Sequence, residues 1–242
     1  MKAKLLVINL YIFCGLISFA QVNSASSITE KAAQNTIAYY KNYVENELAL
    51  CNGPVYRDYL ITISEGNPFL DGSVKTTLGN IVYDGVAYEN VPLLYDIFEN
   101  KLITVHPITK IRFSLRNDKV DAFSVSGHYF LNIRADSNNK IMSGFYEAAY
   151  LGQRNKVFEL HQKVSKEDLS SEVVKWKLND NNLLYIYKNG KFYEANNKRN
   201  ILNIYPDKKK ELSQLIRKEN LKFRKNKKQD IITIAKTYDE LL

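Results

Sequence analysis

A chain of 242 residues, 45% apolar and 25% charged, is long enough to bury a core and too apolar to remain disordered. Its two cysteines, Cys14 and Cys51, exclude a disulfide-stapled framework. The formal net charge of +8 is local: twelve Lys or Arg stand against four acids between Lys198 and Asp230, and the rest of the chain is balanced.

Lys2 and Lys4 precede an apolar run from Leu5 to Ile17, and the small residues Ser18 and Ala20 stand just before Gln21. That order of features predicts a secretory signal peptide over residues 1–20, cleaved after Ala20; the run is too short to stay as a membrane span. Cys14 inside the run is a filler, because the bulky Phe13 before it is unsuited to lipoprotein processing. The mature chain is then expected outside the cytoplasm with no transmembrane segment, and Cys51 as its one cysteine. Cys51 follows Tyr40, Val44 and Leu48 at helical spacing and is expected as a small buried hydrophobe, with no His or Asn pattern nearby to make it a nucleophile.

Ser27 and Glu30 form a capping box before Ala33, Ile37, Tyr40, Val44 and Leu48, which predicts an amphipathic helix ending at Asn52-Gly53-Pro54. From about Tyr59 to Ala195 the pattern alternates, and turns recur. Asp84-Gly85 and Asn189-Gly190 are two-residue hairpin signatures. Softer breaks at Glu99-Asn100, Asn117-Asp118, Ser126-Gly127, Ser137 to Asn139 and Gly152 to Asn155 place strands near 91–98, 101–106, 110–116, 119–125, 128–134, 143–150 and 156–163. No room is left for crossover helices, so the fold class is mainly β (α+β): a curved or sandwich-like antiparallel meander of about ten strands with one N-terminal helix. Val164 to Ser171 is expected as a polar loop or short helix. Beyond Lys198, Asp207 precedes Leu212, Leu215 and Ile216, and Asn226 with Gln229 caps a stripe of Ile231, Ile234, Ala235, Tyr238 and Leu241. The organisation is therefore residues 1–20 as signal, 21–197 as helix plus β domain, and 198–242 as a basic helix pair packed on that domain.

Several segments carry a resemblance. Asn52-Gly53-Pro54-Val55-Tyr56, Tyr83-Asp84-Gly85 to Tyr88, Val91 to Asp96, Gly127-His128-Tyr129-Phe130, Gly144-Phe145-Tyr146-Glu147 to Tyr150 and Lys188 to Tyr193, followed by a lysine-rich helix pair, resemble a group of exported proteins of unknown function from flavobacteria and their relatives. The resemblance implies a bacterial envelope setting and brings no catalytic residues with it.

Motifs with chemistry are few. His106, His128 and His161 are far apart, and no pair has the short spacing of a zinc site, so no metal, cofactor or catalytic residue is assigned. His128, with Asp121 on the preceding strand, is the strongest candidate of the three, but a structural histidine is the preferred reading, since spacing alone names no partner. Asp84 and Asp96 could form a carboxylate pair on neighbouring strands, but the hairpin turn already accounts for Asp84. Seventeen tyrosines either pair across strands in a packed sheet or present a binding face of Tyr83, Tyr88, Tyr95 and Tyr146 beside His128. Lys208, Lys209, Lys210, Lys225, Lys227 and Lys228 form a solvated basic face suited to an anionic lipid or glycolipid surface. Nucleic acid is not an expected partner. The resulting expectation is a non-enzymatic exported envelope protein that binds a partner or assists assembly at the outer membrane. The alternatives are a periplasmic carrier of lipid or another hydrophobic ligand and, behind it, an envelope hydrolase.

Overall fold

Three two-residue turns set the register of the sheet. Asp84-Gly85, Ser126-Gly127 and Asn189-Gly190 all have positive φ, from 51° to 83°, the left-handed pair that lets two adjacent strands fold back without splaying. The computed structural model describes residues 30–37, 48–135, 141–169 and 173–241, and the chain divides into two units, Met1–Asn46 and Glu47–Leu242. In the first unit residues 30–37 are helical (α1), with Ile37 exposed. The expected signal peptide, Tyr40 and Val44 of the expected N-terminal stripe and the Ser137 to Asn139 turn lie outside the described residues.

The second unit holds thirteen strands among the described residues: β1 (Ile63–Glu65), β2 (Thr77–Tyr83), β3 (Val86–Asp96), β4 (Lys101–Val105), β5 (Arg112–Ser114), β6 (Val120–Val125), β7 (His128–Ile133), β8 (Gly144–Leu151), β9 (Asn155–Leu160), β10 (Lys163–Asp168), β11 (Lys175–Asp180), β12 (Leu183–Lys188) and β13 (Lys191–Glu194). Ten of them form one antiparallel sheet in the order β13-β12-β9-β8-β7-β6-β2-β3-β4-β5, which does not close. The mainly β antiparallel meander expected from the turn spacing is the fold observed.

Two features depart from the sequence reading. Lys163–Asp168 is a strand and not a loop or helix; it pairs with β11, whose other edge takes β1 in parallel. This small sheet is polar because four consecutive residues of β10 face solvent, and Lys163 is held to its partner Asp180 by a 2.5 Å ion pair. The helical end has three helices: α2 (Lys198–Ile204), α3 (Lys209–Lys218) and α4 (Lys227–Glu240). Asn226 makes no side-chain cap. The first turn of α4 is instead tied down by Asp230, which accepts the Phe223 N–H at 2.8 Å.

One face of the sheet is filled in two ways. Across β3, β6, β7 and β8, Tyr95 packs edge-on against Phe123, Phe130 and Phe145 at 5.2–5.8 Å between ring centres, and Phe123 stacks on Phe130 at 4.7 Å. Across β9 and β12, Val157, Leu184 and Ile186 are covered by Ile201, Leu212, Ile216, Ile231, Ile234 and Tyr238 of the helices. Each such burial contributes roughly 1.5–3 kcal/mol. Among the described residues no helix is long and apolar enough to cross a membrane.

Candidate functional site

Where the aromatic half of this face meets the helix-covered half, the side chains turn polar. The row Phe130, Glu147, Glu159 crosses β7, β8 and β9 in direct register. Like charges placed opposite each other on adjacent strands repel. Here Lys228, in the first turn of α4, bridges them: its Nζ lies 2.7 Å from both carboxylate oxygens of Glu147 and 2.8 Å from Glu159 Oε2.

Two imidazoles complete the cluster. His128, the first residue after the Ser126-Gly127 turn, places Nδ1 3.1 Å from Glu147 Oε1 and Nε2 3.2 Å from Asp71 Oδ2. Asp71 stands in a short turn at positive φ, 52°. His161, two residues beyond Glu159 on the same face, places Nε2 2.6 Å from Glu147 Oε2 and 3.6 Å from Glu159 Oε2. The Asn182 amide lies 3.0 Å from Glu159 Oε1 and 3.4 Å from His161 Nδ1. The two histidine rings are 6.0 Å apart, and Phe130 packs against both.

Glu147 is therefore the hub. Its side chain is only 9% exposed. Burial alone would raise its pKa, yet hydrogen bonds from His128, His161 and Lys228 outweigh that and hold the carboxyl well below the usual range. The hydrogen bond to Glu147 raises the His128 pKa against partial burial. Burial pushes the Lys228 pKa down, but its bonds to Glu147 and Glu159 more than reverse this. The arrangement can store charge, orient two imidazoles or receive a cation: one ligand atom each from His128, Glu147 and His161 lies within 4.8 Å of the others. A surface depression of about 310 Å³ reaches His128 past Gly79, Ser124 and Ser126.

No family model matches the chain, and no curated protein or solved structure is similar to it.

The other residues singled out from the sequence are scattered. Tyr83, Tyr95 and Tyr146 are at most 2% exposed and belong to the core, so they form no exposed aromatic face; Tyr88 is half-buried against the same core. Tyr83 and Tyr95 lie inside because the sheet curls over that side, whereas Tyr146 lies on the opposite face, packed against Tyr185 and Phe192; sequence alternation cannot say which face is covered. Asp121 is exposed and is not the partner of His128. His106 Nδ1 accepts the N–H groups of Ile108 and Thr109 within its own turn. Asp84 and Asp96 sit at opposite ends of β3, about 30 Å or more apart along an extended strand, and make no carboxylate pair. Cys51, expected as buried, is half-buried. Lys228 points inward to Glu147 and leaves the expected basic face; Lys209, Lys210 and Lys225 are exposed, and Lys208 and Lys227 are half-buried. The sequence reading missed Asp71, Glu147, Glu159 and His161. One sign was present: Phe145, Glu147 and Ala149, then Val157, Glu159 and His161, place charged or polar groups on the inward parity of two apolar strands.

Proposed function

We propose that the protein works outside the cytoplasm as a non-enzymatic envelope protein, holding an anionic surface or acidic partner with its helical end. The observation that carries this reading is a set of cations without counter-charges. Lys210, Arg217, Lys218, Lys222, Arg224 and Lys225 are all exposed. No ion pair involves them among the described residues. Unpaired cations on one end of a molecule attract anionic lipid head groups with about 1 kcal/mol per residue near the surface. The resemblance to exported flavobacterial proteins and the predicted signal peptide agree with an envelope setting. The stacked rings around Tyr95 fill the space where a hydrophobic-ligand carrier would need a cavity, which weighs against that alternative.

Vesicle co-sedimentation tests the reading. The chain should pellet with phosphatidylglycerol vesicles at low salt, stay behind with neutral ones, and release steeply as salt is added. Changing Lys210, Arg217, Lys218, Lys222, Arg224 and Lys225 to Gln should abolish the effect. A wild-type chain that ignores anionic vesicles at low salt would overturn the surface-binding reading.

A further inference from the structure

The charges around Glu147 do not balance. The buried side chains of Glu147 and Glu159 bring two negative charges and Lys228 one positive, while Asp71, about half exposed, adds a negative charge at the edge of the cluster. With neutral imidazoles the buried carboxylates are short of one positive charge, in a place where Glu147, Glu159 and His161 side chains are at most 10% exposed. A buried excess of one sign is costly unless it is paired.

The place is also built to receive a cation. Three carboxylate oxygens already surround the Lys228 ammonium at 2.7–2.8 Å. Nitrogen atoms of two imidazoles lie beside the same carboxylate oxygens, at 3.1 Å for His128 and 2.6 Å for His161. Two imidazole nitrogens with carboxylate oxygen are a donor set for a borderline-soft divalent ion, which Zn²⁺ binds at about 2.0–2.2 Å.

The far ring nitrogen of His128 is provided for as well. A histidine that ligates a metal through one nitrogen donates its other N–H to a carboxylate or carbonyl, which fixes the ring. His128, with Nδ1 toward Glu147, has Asp71 Oδ2 at 3.2 Å from Nε2. His161, with Nε2 toward Glu147, has the Asn182 side-chain amide nitrogen at 3.4 Å from Nδ1, the same nitrogen that donates to Glu159 Oε1 at 3.0 Å. His128 thus has, on the side away from Glu147, the carboxylate partner that a ligating histidine uses.

We propose that His128, Glu147 and His161 form a binding site for a divalent transition metal, with Zn²⁺ the best match, and that the Lys228 ammonium is its built-in competitor. Glu159 stands ready as a fourth ligand or as the acceptor for the displaced lysine. Metal entry would free Lys228 from the sheet and add one cation to the basic helical end. The metal site stands or falls independently of surface binding.

Untagged full chain, stripped with chelator and dialysed, is titrated with ZnCl₂ by calorimetry and with Co²⁺ by visible absorption. One ion per chain is expected, with ligand-field bands of a nitrogen- and oxygen-bound cobalt. His128→Ala and His161→Ala should each weaken Zn²⁺ binding by more than about 100-fold, and Asp71→Asn by about 10-fold. Lys228→Met should bind more tightly than wild type. Circular dichroism checks folding; should His161→Ala unfold, the more exposed His128 and Asp71 variants carry the test. Absence of stoichiometric binding, or unchanged affinity in the His128 and Asp71 variants, would overturn the site. A Lys228→Met chain that binds no tighter than wild type would overturn the competitor role.

Discussion

The two halves of the sheet bury the same face by different means. From β2 to β7 the sheet curls over itself, and the space is filled by Tyr95, Phe123, Phe130 and their neighbours, nearly all apolar. From β8 to β12 the cover is a separate set of helices, and polar side chains appear among the apolar contacts. Asn155, 2% exposed, accepts the Tyr205 hydroxyl at 2.8 Å and donates to the Ala235 carbonyl and the Asp239 carboxylate. Lys188 donates to the Ile204 carbonyl and lies over the rings of Tyr205 and Tyr238. Lys228 reaches Glu147 and Glu159. Strand pairing already fixes the position of every ring in the first half. Nothing comparable positions a helix on a sheet, so directional bonds supply the register that greasy contacts leave loose.

Core truncation should separate the halves most sharply. Phe130→Ala removes a ring that touches Tyr95, Phe123 and both cluster histidines, and should cost about 3–5 kcal/mol in denaturant unfolding. A loss below about 1 kcal/mol would show that the first half is not close-packed. Asn155→Ala should cost less, about 2–3 kcal/mol, because it strands buried polar partners without opening a large cavity. Its effect should be regional: hydrogen exchange should quicken in α4 amides while those of β6 and β7 keep their protection. Uniform loss of protection would mean that the helices are not a distinct docking layer.

A smaller effect tests the opposite face of β3. Asp96 is fully buried, where it accepts the hydroxyls of Tyr56 at 2.9 Å and Tyr59 at 2.6 Å and the N–H of Glu99. Burial raises its pKa, and those hydrogen bonds only partly offset this. A carboxyl whose folded pKa is raised contributes stability that is complete below its unfolded value and is lost as pH climbs through the folded one. Asp96→Asn should therefore flatten that slope. The stability difference between wild type and variant should shrink, or reverse, as pH rises above about 4 in urea titrations. A difference independent of pH would show that Asp96 keeps an ordinary pKa despite its burial.

The strands were legible because their turns are chemical. Residues 101–106 and 119–125 were expected as strands, and Lys101–Val105 and Val120–Val125 are observed, since Asn100 before the first and Ser126-Gly127 after the second take positive φ and mark the turns in the chain itself. The Lys163–Asp168 strand was hidden because a ribbon open to water on both sides needs no apolar alternation. The charged cluster was hidden for another reason. Its members come from residues 71 to 228 and meet only through cross-strand register and the seating of α4, neither of which local spacing encodes.

The small sheet bears on kinetics. Ile63 lies beside Trp176 in parallel, so this contact joins stretches more than a hundred residues apart and closes only after the ribbon between them has been ordered. A bond formed late is largely absent from the folding transition state. Weakening it, for example with Ile63→Gly, should leave the refolding rate nearly unchanged and hasten unfolding. The clasp would then govern how long the molecule lasts once folded, a property that matters where a protein must endure without a cell's refolding machinery.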